Sequence, residues 1–275
     1  MEEPTQFTDF ALELAEAFNE LKHPANEIGA THLASKFEVA PWSPEFMLIL
    51  VSIRERIIAL QTYASTAPAP DLVRSTILGG LSTATEAIGI NSLNRPWKEI
   101  GSPSMASCVG NIALFSPTVQ QVIKYPKPTP DEIKSVIAEA DNLLEYLALL
   151  QLTDGDFCRQ ATIEGIRMFR FRLAYLKWLG ANYSRVGLQS VAGAGLALAT
   201  FNGQSATNSN NAEAVQRVIG FVKRSYETLH TTKEVTETAD FLVKAFAAGG
   251  PATYLTSKAL SLLAQVHLLQ LPPPG

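Results

Sequence analysis

Apolar residues recur every third or fourth position in several stretches of the chain, the spacing that brings side chains to one face of an α-helix. The clearest stretch follows Thr129 and consists of Ile133, Val136, Ile137, Ala140, Leu143, Leu144 and Leu147. The same spacing is present in residues 7–21 and in residues 215–229. We predict that these three stretches form amphipathic helices, each with one buried face.

Four hydroxyl–proline pairs indicate where helices begin. They are Ser43-Pro44, Ser102-Pro103, Ser116-Pro117 and Thr129-Pro130. The hydroxyl can accept a hydrogen bond from a backbone N–H of the first turn, and proline at the first helical position loses no donor that the helix needs. Each pair is therefore predicted to start a helix.

Further helices are predicted at residues 27–37, 44–64, 72–88, 103–115, 117–124, 157–179, 185–200, 233–247 and 252–271. No stretch shows the sustained alternation of apolar and polar residues that is typical of a strand. The sequence thus predicts an all-α protein of roughly ten to twelve helices, in an orthogonal or bundle-like arrangement.

The prolines between Tyr125 and Pro130 favour extended backbone, so this segment is the candidate boundary between two helical halves. The halves would be residues 1–125 and residues 129–275, and the alternative is a single domain. The second half contains a polar loop at residues 202–211 and ends in a proline-rich tail at residues 272–275.

Charge is scarce in this chain. Asp, Glu, Lys and Arg make up 17% of its 275 residues, against about 25% in a typical soluble protein. Residues 100–123 and residues 186–212 contain no charged side chain at all. A monomer normally places charges on the solvent face of each helix. These two charge-free segments are therefore expected to be enclosed by other helices or to contact a partner, and we favour a partner for at least one of them.

Basic residues cluster between positions 157 and 187, although the net charge of the whole chain is −4. Five cations fall on one side of a helical wheel: Arg159, Arg167, Arg170, Lys177 and Arg185. Aromatic residues that could stack on unpaired bases lie among them: Phe169, Phe171, Tyr175 and Trp178. Together they predict a site for single-stranded nucleic acid or another polyanion. The alternative is that the rings belong to the core and that the cations pair with acids of the same chain.

The glycine- and alanine-rich segment at residues 186–201 suggests a second alternative, a membrane-active protein that inserts this helix. Its apolar part is about sixteen residues long, shorter than the roughly twenty residues that span a bilayer. A buried core helix is the favoured interpretation, and contact with a membrane is not expected.

Two Glu-x-x-His elements suggest a third alternative, a helical-bundle metalloenzyme. They are Glu20 with His23 and Glu227 with His230. Two such elements and two further glutamates bind paired metal ions in some four-helix bundles. The spacing is common by chance, so the favoured prediction contains no metal and no cofactor.

No secretory segment is recognisable at the N-terminus, and the two cysteines show no metal or redox spacing, so we expect an intracellular protein. We find none of the common catalytic motifs. The sequence is interpreted as a non-enzymatic assembly or interaction protein, similar in kind to a coat or nucleoprotein subunit. It is expected to form a homo-oligomer or to bind a protein partner.

Overall fold

The computed structural model describes residues 7–122, 124–150, 156–202 and 209–229. Within them the chain forms eleven helices and one two-stranded sheet, in which β1 (Phe7–Thr8) pairs with β2 (Tyr125–Pro126). The predicted all-α class is confirmed. The expectation that no strand would form is wrong only for this short sheet.

The helices lie close to the predicted positions. They are α1 (Phe10–Leu21), α2 (Gly29–Phe37), α3 (Pro44–Thr66), α4 (Asp71–Ala87), α5 (Ile90–Leu93), α6 (Gly101–Gln120), α7 (Pro130–Leu149), α8 (Asp156–Ala174), α9 (Leu176–Leu179), α10 (Ala181–Asn202) and α11 (Ser209–Thr228). The helices predicted at residues 233–247 and 252–271, and the tail at residues 272–275, lie outside the described residues.

Two of the four hydroxyl–proline pairs start helices as predicted. The Ser43 hydroxyl accepts from the backbone N–H of Phe46 at 3.2 Å, with Pro44 at the first position of α3. Thr129 forms a complete capping box at the start of α7, because its hydroxyl accepts from the Glu132 N–H while the Glu132 carboxylate accepts from the Thr129 N–H.

The hydroxyls of the other two pairs do not cap a helix; the pair Ser102-Pro103 lies in the first turn of α6 and the pair Ser116-Pro117 lies inside the same helix. Ser102 follows the first residue of α6 and donates to the Lys22 carbonyl at 2.6 Å. Ser116 and Pro117 lie inside α6, and the Ser116 hydroxyl donates to the buried carboxylate of Asp9, the N-cap of α1. The predicted segments 103–115 and 117–124 are therefore one helix. Pro117 lies in the last turn of α6, which ends at Gln120.

The chain forms two compact units, and unit 1 includes one short segment from the second half of the sequence. Unit 1 comprises Met1–Tyr125 and Tyr175–Asn182, and unit 2 comprises Pro126–Ala174 and Tyr183–Gly275. The predicted halves, residues 1–125 and 129–275, differ from these units in the short segment that contains α9. In unit 1, α1 packs on α6, and α4 packs on both α3 and α6. Large apolar side chains fill its core, among them Phe18, Phe46, Ile53, Trp97 and Phe115.

The α9 segment is held in unit 1 by a buried ring and a buried cation. The Trp178 ring packs edge-on against Phe37, with ring centroids 4.8 Å apart. The Arg56 guanidinium donates to the Trp178 carbonyl at 2.8 Å and lies 3.7 Å from the Glu13 carboxylate. Burial lowers the pKa of Arg56, and the Glu13 carboxylate opposes that shift. A buried guanidinium needs such partners, because an uncompensated charge in the interior is strongly destabilising.

In unit 2, α8 and α11 pack on α7, and α10 contributes buried side chains to the same core. The rings of Phe169 on α8 and Phe221 on α11 meet edge to face, with centroids 5.9 Å apart. The apolar face predicted for α7 is confirmed, since Val136, Ala140 and Leu147 are fully buried.

Candidate functional site

The basic residues of the predicted polyanion site are divided between the two units. Arg159, Arg167 and Arg170 lie on α8 in unit 2, whereas Lys177 lies on α9 in unit 1. Arg185 belongs to α10, and its side chain lies outside the described residues. The helix predicted at residues 157–179 ends at Ala174, and this break separates Lys177 from the arginines along the chain.

Each of the four described cations pairs with an acid of the same unit. Arg159 contacts Asp156 at 2.6 Å and also donates to the Leu147 carbonyl. Arg167 contacts Glu164 at 2.7 Å. Arg170 donates to both oxygens of Asp141, and this hydrogen bonding raises the pKa of the guanidinium. Lys177 lies 3.3 Å from Glu20. The structure thus favours the internal pairing that the sequence left open as the alternative.

Two of the four aromatic residues do not have the exposure that base stacking requires. Phe169 is completely buried against Phe221, and Trp178 is 6% exposed and packs on Phe37. The stacking prediction is therefore corrected for both rings. Phe171 and Tyr175 are half-buried. The position of Phe169 was recoverable from the sequence, because it follows Ile166 by three positions and precedes Leu173 by four on one apolar helix face.

The metal-binding alternative depends on a residue that the structure does not describe, His230. Glu20 and His23 belong to unit 1, where Glu20 contacts Lys177. Glu227 belongs to unit 2 and lies 3.8 Å from the Lys223 ammonium. Among the described residues, no three His, Cys, Asp or Glu side chains are grouped in a way that could hold a metal ion.

The charge-free part of α10 contributes several described side chains to the core of unit 2. Leu188, Val191 and Leu198 are completely buried. The helix approaches its neighbours closely at glycine: a Cβ atom on Gly195 would lie only 2.7 Å from Val218 Cγ1 of α11. The described residues include no helix that is both long and apolar enough to cross a membrane.

The other charge-free segment, on α6, has one buried and one exposed side. Met105, Cys108, Ile112 and Phe115 are buried in unit 1. Burial raises the pKa of the Cys108 thiol to about 11. The opposite side faces solvent without a single charged side chain: its exposed residues are Pro103, Ala106, Ser107, Gly110, Leu114 and Pro117.

Helix α4 extends this exposed surface. It packs on α6, with Gly80 against Cys108. Residues 75–85 of α4 contain no charged side chain, and their exposed members are Ser75, Thr76, Gly79, Ser82 and Thr83. We call the exposed residues of α6 together with those of residues 75–85 of α4 the uncharged surface. Its largest apolar side chain, Leu114, is 78% exposed.

Unit 2 contains a cavity of about 450 Å³ between α7 and α11 that sequence analysis did not anticipate. Two ion pairs line it, Arg224 with Glu139 at 2.8 Å and Arg217 with Glu213 at 2.7 Å. The Arg217 guanidinium also lies 4.0 Å from the centroid of the Tyr146 ring. Since both arginines are neutralised by neighbouring glutamates, the cavity offers no excess charge to a ligand. In the sequence, the only indication of this cavity is that the α11 residues that line it include the charged residues Glu213, Arg217 and Arg224.

No family model, no curated protein and no solved structure matches this chain. What the protein does must therefore be inferred from its own surfaces.

Proposed function

We propose that the protein works by association rather than catalysis, and that it self-associates through the uncharged surface of α4 and α6. The observation that carries this proposal is the exposed side of α6, which presents Leu114 and small neutral residues where a helix of a monomer normally presents charges. The cores of protein interfaces are likewise depleted in charged residues.

The physical argument concerns desolvation. Burying a charged side chain is costly unless it is paired and hydrogen-bonded. A surface without charges avoids this cost, and the hydroxyls at its centre can bond within their own helix. Ser107 does so by donating to the Ser104 carbonyl at 2.8 Å. Small side chains such as Gly79 and Gly110 also allow the backbone of a second copy to approach closely.

The arginines of α8 are not part of this proposal. Their described neighbours already supply acids, so phosphate groups would have to displace internal partners. Binding of a labelled oligonucleotide is the measurement that separates the two functions.

The test compares two leucines that are equally exposed. Leu114 and Leu72 are both 78% exposed, but Leu72 lies in the first turn of α4 between Asp71 and Arg74, outside the uncharged surface. We expect Leu114→Glu to weaken self-association at least tenfold, which is about 1.4 kcal/mol, whereas Leu72→Glu should leave it unchanged. Sedimentation velocity across a range of concentrations measures the association, and circular dichroism checks that both variants remain helical.

A parent protein that stays monomeric at about 100 μM would refute the proposal, because the association free energy would then be weaker than about 5.5 kcal/mol. Equal effects of the two substitutions would also count against it. In that case the loss of mass would reflect added charge in general rather than the uncharged surface.

A further inference from the structure

Trp97 connects three parts of the chain inside unit 1. Its indole N–H donates to the Leu21 carbonyl at the end of α1 at 2.8 Å, and its backbone N–H donates to the Glu27 carbonyl at 2.8 Å. The backbone N–H of Gly29, the first residue of α2, donates to the Arg95 carbonyl at 2.8 Å. We call these contacts the Trp97 junction, because they join the end of α1, the start of α2 and the segment before α6.

The Trp97 ring is packed tightly in this junction. A Cβ atom on Gly101 would lie 2.0 Å from Cε3 of the ring, and a Cβ atom on Gly29 would lie 3.2 Å from the same atom. The His32 ring of α2 stacks on Trp97, with ring centroids 5.7 Å apart and ring planes 25° apart. Trp97 therefore has no room to shift towards either glycine if the His32 ring needs more space.

The surroundings of His32 suit a neutral imidazole. The side chain is 8% exposed, and its Nε2 atom is buried without a hydrogen-bond partner among the described residues. A neutral imidazole carries one proton, so one of its nitrogens needs no acceptor. An imidazolium carries a proton on each nitrogen, and a buried N–H without an acceptor is costly. Protonation in the closed junction is therefore unfavourable.

The position of His32 in α2 adds to this cost. It lies three residues after the start of the helix, near the positive end of the helix dipole, which disfavours a cation. Lys36 follows one turn later on the same helix. Burial lowers the pKa of His32 below its ordinary value of 6.5, and the positive charge of Lys36 lowers it further.

Other charged groups around the junction act less strongly or in the opposite direction. The charged and titratable residues of its elements are Lys22 at the end of α1, His23 and Glu27 before α2, Lys36 on α2, and Arg95, Lys98 and Glu99 on the segment that holds Trp97. Glu27 favours a charge on His32, whereas His23 opposes it. Arg95 and Glu99 pair with each other at 2.9 Å. Helix α5, which also packs on α2, carries no charged residue.

We propose that His32 makes the Trp97 junction acid-sensitive: when its ring takes up a proton, the ring leaves its buried position and the junction opens, which exposes Trp97. In the open form water supplies acceptors to both imidazolium N–H groups. The face of the Trp97 ring attracts a cation, but this attraction gives Nε2 no acceptor. The inference does not depend on self-association, because both rings lie in the core of unit 1 and outside the uncharged surface.

The sign of the pH dependence follows from where the proton binds more readily. The pKa of His32 is lower in the closed form than the ordinary value of 6.5, so the open form binds the proton more readily. The stability of the closed form is therefore fully present above pH 6.5 and is lost as the pH falls below it. Exposed carboxylates titrate near pH 4, so a comparison between pH 7.5 and pH 5.5 reports mainly on histidine.

Hydrogen exchange at the Trp97 indole measures the opening, because this N–H donates to the Leu21 carbonyl in the closed form. NMR of the full chain gives its protection factor, which corrects for the pH dependence of exchange itself. We expect the protection factor of the parent to fall at least about threefold from pH 7.5 to pH 5.5. His32→Phe keeps a ring beside Trp97, and His32→Gln keeps a polar side chain, but neither has a group that titrates in this range. Both should retain their protection within about 1.5-fold.

The neighbouring charges provide changes of opposite sign. Glu27→Gln removes the charge that favours the imidazolium in the closed form, so it should enlarge the fall in protection. Lys36→Gln removes a repelling charge and should reduce the fall. The matched control is His23→Gln, which removes the other histidine that the structure describes, an exposed one, and should retain most of the fall. A merely structural role of His32 would not produce these opposed shifts.

Constant protection of Trp97 in the parent between pH 7.5 and pH 5.5 would overturn the inference. An equal fall in the parent and in both His32 variants would do the same. A His32 imidazole resonance that titrates at or above pH 6.5 also overturns it, and this measurement needs no variant. None of these outcomes bears on self-association, which is tested by the sedimentation of the parent and of the two leucine variants.

Discussion

Helix α6 and the part of α10 that follows Arg185 both lack charged residues, but their surroundings differ. The described side chains of α10 pack largely into the core of unit 2, and Gly195 lies against Val218 of α11. Helix α6 is buried on one side only, and its glycine at position 110 has no described neighbour within reach of a Cβ atom. Among the described side chains of the charge-free part of α10 only Ser190 and Gly193 are exposed, whereas α6 lacks charges along a whole side that faces solvent.

The difference shows what a charge-free segment can and cannot indicate. A charge-free segment is compatible with enclosure by the same chain, as for much of α10, and with a side that faces solvent, as for α6. The glycines of the two helices have different surroundings. Gly195 of α10 lies against Val218 of α11, whereas Gly193 of α10 and Gly110 of α6 face open space.

The largest expected effect is a difference in unfolding free energy between a glutamate substitution in α10 and one in α6. Leu188→Glu in α10 buries a carboxylate at a completely buried position and should lower the free energy of unfolding by about 4 kcal/mol or more. Leu114→Glu on the exposed side of α6 should change it by less than about 0.5 kcal/mol. Urea denaturation at a concentration low enough to keep the protein monomeric measures both. Equal losses would mean that α6 is enclosed like α10.

The buried side of α6 predicts a pH dependence at Cys108. Its thiol has a pKa of about 11 in the folded protein, against 9.0 for the ordinary group, because burial disfavours the thiolate. Above pH 9 the unfolded chain therefore loses a proton that the folded chain keeps, and stability falls between pH 9 and about 11. The expected loss is on the order of 2 kcal/mol.

Comparing the parent with Cys108→Ala over this pH range isolates that contribution, since the variant has no thiol to titrate at this position. The stability difference between the two proteins should shrink as the pH rises. A constant difference from pH 8 to pH 11 would show that Cys108 is accessible to water.

Two glycine-to-alanine substitutions should change the stability by smaller amounts, one lowering it and the other raising it. Gly195→Ala in α10 forces a Cβ atom to within 2.7 Å of Val218 Cγ1 and should destabilise unit 2 by about 1–2 kcal/mol. Gly110→Ala in α6 meets no described atom within 4 Å and should stabilise the helix by about 0.5–1 kcal/mol. Thermal melts of the dilute variants measure the signs. Gly193→Ala, also in open space, is the control within α10.

The smallest expected effect concerns the exposed ion pairs of α8. Arg167→Gln with Arg170→Gln removes two surface pairs, which contribute about 0–1 kcal/mol each, so the melting temperature should change little. Because both arginines have internal partners, we expect no binding of a labelled single-stranded oligonucleotide at about 0.15 M salt, the physiological ionic strength. Fluorescence anisotropy checks this. Saturable binding by the parent that the double variant loses would restore the predicted polyanion site.

Most of the helices could be predicted because their signals are local. The apolar spacing after Thr129 and the cap at Ser43 depend on residues within a few positions of each other, and both are confirmed. The single helix α6 could not be predicted in this way. The role of Ser116 depends on Asp9, more than a hundred positions earlier in the chain, and no local pattern reports that hydrogen bond.

The candidate surfaces were predictable only in part. The sequence shows that residues 100–123 carry no charge, but the exposed side of α6 becomes visible only when its packing partners are known. Arg170 illustrates the limit for charges. Its partner Asp141 lies on α7, 29 positions away, and the helical wheel of α8 does not include it.

Unit 1 includes the late segment Tyr175–Asn182, and this has a consequence for the order in which the protein folds during its synthesis. Phe37 and Arg56 are made early, but the residues that cover them, including Trp178, follow about 50 positions after Tyr125. At about 5–20 residues per second the ribosome needs about 3–10 s to supply them. During that interval Phe37 and Arg56 lack their contacts with Trp178, while helices α7 and α8 of unit 2 are already being synthesised. The first unit to be synthesised is thus completed only after much of the second has been made.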